Sequence, residues 1–110
     1  MTEPAGSADD WVPDSRSFRD GAVVRVLTIR NRKGLHARAS ARFVQTAEKF
    51  DADVRVMRGG EIVGGTSIMG LMMLAASPGT SITVEATGKE AAEVIEALAA
   101  LIESRFGEKD

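Results

Sequence analysis

Residues 34–50 read Gly34-Leu35-His36-Ala37-Arg38 and then ASARFVQTAEKF over 39–50. The run from Ala37 has helical spacing. Ser40, Phe43, Val44, Ala47 and Phe50 share one stripe, while Arg38, Arg42, Gln45, Glu48 and Lys49 fall mostly on the other side. Just upstream, residues 22–30 (AVVRVLTIR) are β-branched and apolar and read as a strand, with Val23, Leu27 and Ile29 on the core parity together with Arg25. Asn31–Gly34 is the polar turn between them, and Arg30, Arg32 and Lys33 make it basic. His36, the one histidine of the chain, therefore stands where a strand hands over to a helix. A neutral imidazole offers one nitrogen as a nucleophile while the other donates a hydrogen bond. The first amides of a helix are unpaired and favour an added anion, and the Arg38 guanidinium adds fixed positive charge. These are the parts needed to carry a phosphoryl group. The same position also suits a histidine that only caps or packs, and spacing alone leaves both readings open.

Outward from this junction the pattern stays regular. Residues 53–58 place Val54 and Val56 on one face of a second strand. Gly59–Gly60 signals a hairpin, followed by a short third strand over Glu61–Gly65 with Ile62 as its apolar anchor. Ser67–Leu74 reads as a short helix capped by Ser67, with Leu71 and Leu74 inward. Ile68, Met69 and Met72 are then left facing outward at least in part, an adaptable apolar surface suited to docking. Ala76–Gly79 breaks the helix, and Thr80–Thr87 alternates as a fourth strand with Ile82, Val84 and Ala86 inward. Residues 89–106 form the longest amphipathic helix, with Ala91, Val94, Ile95, Leu98, Leu101, Ile102 and Phe106 on its apolar side. The order βαββαβα predicts an α+β domain in which helices cover one face of a four-stranded sheet and the other face stays wet. Residues 1–20, dominated by Pro, Gly, Ser and Asp, are expected to be a disordered extension in which Trp11 and Phe18 are exposed. The domain is expected to span 21–110.

Composition excludes several chemistries. The formal net charge of −2 gives no global pull towards nucleic acid or an anionic membrane. The strands carry few aromatics and the chain no tyrosine, which speaks against an RNA-binding sheet. With no cysteine and one histidine there is no ordinary zinc site and no thiol nucleophile, and a cytoplasmic protein is the expectation. No apolar run approaches the roughly 20 residues needed to span a bilayer. Ser40 lies one helical turn beyond His36, but nothing in the sequence marks a third group or an oxyanion hole for a hydrolase. Phosphate-binding glycine loops are absent.

The segment Gly34-Leu35-His36-Ala37-Arg38, with its alanine-rich helix and Phe43-Val44, resembles the active-site signature of the histidine-containing phosphocarrier proteins (HPr) of the bacterial phosphotransferase system. Ser67-Ile68-Met69-Gly70-Leu71 resembles the regulatory-serine segment of those HPr proteins that a dedicated kinase phosphorylates. The resemblance covers about residues 22–106 and implies an open-faced β-sandwich. It implies that His36 accepts a phosphoryl group on Nδ1 from phosphorylated enzyme I and passes it to an IIA-type acceptor, assisted by Arg38 and by the backbone of Ala37 and Arg38. Arg42, Ile68, Met69 and Met72 would dock partners, and Ser67 would be the target of an HPr kinase/phosphorylase. A monomeric carrier without metal or cofactor is implied, taking part in transfer rather than turning over substrate alone. The sugar-uptake and nitrogen-type regulatory branches of the family share this chemistry, and both stay open. Ala39 stands where the family usually has proline, which leaves the helix start less rigid. A plain interaction module with an inert His36 is the competing class.

Overall fold

The structure is a computed structural model and describes residues 18–108. The expectations for residues 1–17, including Trp11, lie outside the described residues. The elements run β1 (Val23–Thr28), α1 (Ala37–Ala47), β2 (Asp53–Arg58), β3 (Glu61–Gly64), α2 (Ile68–Met73), β4 (Ser81–Thr87) and α3 (Ala91–Glu103), with a closing 3-10 turn at Arg105–Gly107. All pairings are antiparallel and the strand order is β1-β4-β2-β3. The helices cover one face in the expected open-faced arrangement.

Alternation sets the core. Leu27 and Ile29, Val54 and Val56, and Ile82, Val84 and Ala86 point to the helices and are buried. Phe43, Val44 and Ala47 of α1 and Val94, Ile95, Leu98 and Ile102 of α3 meet them. Arg25 shares the inward parity but lies at the rim, where it reaches Glu96 of α3 at 2.7 Å. The hairpin forms at Gly59 and Gly60, whose φ values of 57° and 87° fit a tight two-residue turn that other residues resist.

Three expectations are corrected. Ile62 does not anchor β3: the hairpin pairs Met57 with Ile62 and Val56 with Val63, so Val63 packs on the core and Ile62 turns outward. The last helix stops at Glu103. Arg105 and Phe106 then adopt left-handed backbone (φ 59° and 57°), and this turn, not a further helical turn, swings the Phe106 ring into the core. Finally, the outer sheet face is not uniformly wet. Met57, Thr83 and Glu85 all lie on it and are buried.

Glu85 accounts for much of that face. Its carboxylate is fully buried and is gripped by Arg55 (Nε to Oε1 2.6 Å, Nη2 to Oε2 2.9 Å). Arg19, from ahead of β1, donates its backbone N–H to Oε2 at 2.7 Å and its Nε to Oε1 at 3.0 Å, and its guanidinium also pairs with Asp53. The stretch expected to be loose thus reaches the sheet at Arg19, and Phe18 beside it is half-buried.

Candidate functional site

The loop from Asn31 to Leu35 is pressed against the chain at Ala76. Leu35 donates its N–H to the Ala76 carbonyl at 2.9 Å, and Gly34 sits at φ +66°, where an added Cβ would meet that same oxygen at 2.3 Å. Only glycine fits there. Asn31 is wholly buried and donates Nδ2 to the Gly34 carbonyl at 2.8 Å, which holds the turn in shape.

This packing delivers His36 to the N-cap of α1. Its backbone is extended (φ −75°, ψ −179°) and its Nδ1 accepts the Arg38 N–H at 3.3 Å. Histidine is an unusual cap; Ser, Thr, Asp or Asn are commoner. At 3.3 Å the bond is at the weak end of the range, so it exchanges readily for a better acceptor. With Nδ1 accepting, the ring proton belongs on Nε2, which lies 2.5 Å from Glu108 Oε2. The imidazole is neither sealed nor fully free: 27% of the side chain is exposed.

Glu108 is held from two sides. Asn31 Nδ2 donates to Oε1 at 3.0 Å, and the preceding turn is fixed by the buried Phe106 ring and by Arg42, whose guanidinium donates to the Phe106 carbonyl. Arg42, expected to serve docking, therefore also ties α1 to the C-terminal turn. Ser40 is spent structurally: it is buried, and its Oγ donates to the Leu35 carbonyl at 3.3 Å.

His36 opens into a depression whose other walls include Arg32, Lys33, Arg38 and Arg42 on the basic side and Glu108 on the acidic side. Four cations against one carboxylate favour an anionic visitor. The exposed Arg38 guanidinium makes no hydrogen bond or ion pair within the described residues, so it is available to one. Among the described residues no cluster of His, Cys, Asp or Glu is placed to hold a metal, and no helix is long and apolar enough to cross a membrane.

Ser67 caps α2, its Oγ accepting the Gly70 N–H at 3.0 Å. Ile68, Met69 and Met72 are exposed as expected, Met69 at 75%, and Met73 joins them at 73%. Helices α1 and α2 pack together, but the depression is not lined by α2. The structure thus brings His36, Ala37, Arg38 and Arg42 to one place and sets Ser67 and the methionines on the neighbouring helix.

A family model described as the PTS HPr component phosphorylation site matches residues 23–104. The chain belongs to the HPr family. It is 50% identical over 84 residues to the phosphocarrier protein HPr of Cupriavidus necator, an overlap of 76% of this chain and 94% of that protein. Against the phosphocarrier protein NPr of Shewanella violacea identity is 36% over 84 residues, covering 76% of this chain and 92% of the relative. Among solved structures, that of HPr-C-His from Thermoanaerobacter tengcongensis superposes with a TM-score of 0.76 at 43% identity, covering 80% of this chain and 99% of that one. HPr-family membership accounts for the fold and for the segment around His36. Glu108 lies beyond the matched residues. The sequence reading missed it and Asn31 as parts of this site. The sequence marks Asn31 only as a turn residue and gives Glu108, two positions past the helix expected over 89–106, no role.

Proposed function

We propose that this chain is a cytoplasmic phosphocarrier of the phosphotransferase system: His36 Nδ1 takes a phosphoryl group from phosphorylated enzyme I and yields it to an IIA-type acceptor. The observation that carries this reading is the direction of Nδ1, which points its lone pair at the Arg38 amide in the first turn of α1 inside a basic depression. In the transfer, the donor's P–N bond breaks as the P–Nδ1 bond forms. The Nε2 proton stays on the ring, shared with Glu108. The Arg38 N–H exchanges the ring nitrogen for a phosphoryl oxygen, the Ala37 N–H beside it offers a second donor, and the Arg38 guanidinium balances the added charge. A carrier must not hold its cargo too tightly. Exposed amides and one exposed arginine meet that demand, while donor and acceptor complete the in-line geometry. Incubation with phosphoenolpyruvate and enzyme I tests the reading: one acid-labile, base-stable phosphate per chain is expected, and a chain that gains none is an interaction module instead.

In the same reading, Ile68, Met69 and Met72 dock both partners, and Arg42 lends charge to the encounter. Ser67 is the site for an HPr kinase/phosphorylase. A phosphate there adds a charge of about −2 beside the docking face, where the cap of α2 tolerates it and an acidic partner does not. Ser67→Asp is expected to slow phosphorylation of His36 by about tenfold while leaving the fold unchanged, through like-charge repulsion at the interface. Stopped-time phosphorylation assays across enzyme I concentrations read this out, and an unaltered rate removes Ser67 from the scheme.

A further inference from the structure

We propose that Asn31 is a positioning residue for His36 and acts on it through Glu108. Both amide hydrogens of the buried Asn31 side chain are engaged: one on the Gly34 carbonyl at 2.8 Å, the other on Glu108 Oε1 at 3.0 Å. The first bond explains a turn. The second does not serve the turn; it runs 77 positions along the chain to the same carboxylate whose other oxygen sits 2.5 Å from His36 Nε2. A carboxylate with one oxygen fixed by a buried donor cannot rotate freely, so its second oxygen is presented to the ring in one orientation. Holding the proton on Nε2 has a chemical consequence at the opposite atom: it keeps Nδ1 unprotonated and aimed at the helix amides. A carboxylate on the far nitrogen also stabilises the positive charge that develops on the ring as the P–N bond forms. The relay has the two anchors it needs. Asn31 is rooted in the loop before α1, and Glu108 follows a turn pinned by Phe106 in the core and by Arg42.

The consequence for transfer rests on His36 being the acceptor, as proposed above; the hydrogen-bond relay itself does not. The test therefore uses two readouts. With a single histidine in the chain, ring-¹⁵N-labelled protein gives one imidazole to follow. In the intact protein at mildly alkaline pH the Nε2–H proton is expected as a downfield, solvent-protected resonance. Asn31→Ala and Glu108→Ala are each expected to lose that protection while the amide spectrum stays that of a folded chain. The rate of phosphorylation by enzyme I is expected to fall about fivefold to tenfold in each, the scale of one ordinary hydrogen bond. Asn31→Ala made in the Glu108→Ala background is expected to add no further loss. Retained Nε2–H protection in folded Asn31→Ala overturns the proposal, as does an equal rate loss in the Glu108→Ala background, which would assign the effect to the Gly34 turn. If the intact protein accepts no phosphate, the function proposed above fails, and the imidazole resonance still decides whether the relay exists.

Discussion

His36→Asn is expected to abolish enzyme I-dependent phosphate on the chain while sparing the fold. Asparagine is among the best N-cap residues, and its side-chain oxygen reaches the amide that Nδ1 now holds, so α1 keeps its start. What disappears is the nucleophile. An amide has no lone pair to offer phosphorus at neutral pH, and no second histidine exists to take over. The expected loss is therefore at least about a thousandfold in transfer rate, more than 4 kcal/mol of barrier. The change in unfolding free energy should stay within about 1 kcal/mol, since one cap replaces another. Parallel phosphate-transfer assays and urea melts check both halves. Acid-labile phosphate persisting on the variant would place the acceptor elsewhere in the molecule.

The second large effect lies on the opposite side of the sheet. Burial pushes the Glu85 carboxyl up, but hydrogen bonds from Arg55 and from both the backbone and side chain of Arg19 outweigh it and hold the group at about 2, below its ordinary 4.5. The same contact raises the Arg55 guanidinium, chiefly through its hydrogen bonds to Glu85. A carboxyl lowered on folding contributes stability that is complete above about pH 4.5 and is lost as pH falls towards 2. The span corresponds to about 3 kcal/mol. Glu85→Gln should therefore unfold more easily by about 3 kcal/mol at pH 7, because it leaves Arg55 and Arg19 facing an uncharged amide. The penalty should shrink steadily below pH 4.5, until variant and parent converge near pH 2. Urea unfolding at pH 7, 4 and 2.5 measures it, and a gap that does not narrow with acid would show that the carboxylate's charge contributes nothing.

Much of this molecule is legible along the chain, for a physical reason. Val54 and Val56, Ile82, Val84 and Ala86, and the Ser40–Phe43–Val44–Ala47 stripe each repeat with the period of their element, and burial on one face follows directly. His36 is legible as the residue between a strand and a helix, while its chemistry is implied only by the resemblance of Gly34–Arg38 to the HPr signature, since spacing alone suits a capping histidine as well. What escapes the pattern is set by distant pairing. Glu85 alternates like an outward residue and is buried only because Arg55 and Arg19, 30 and 66 positions away, close over it. Ile62 sits in a strand of four residues, where the hairpin register and not local alternation decides the face. Glu108 owes its place beside His36 to two consecutive non-glycine residues in left-handed backbone, which composition does not announce.

The Arg19 clasp has a practical corollary for handling the protein. The described chain starts on the side of the sheet opposite the helices, where Arg19 is fastened to the middle strands. An affinity tag grafted after Asp110 begins only three residues past the carboxylate that touches the imidazole. For immobilisation or fluorescent labelling, the two ends of this chain are therefore not equivalent, and the amino end is the one to use.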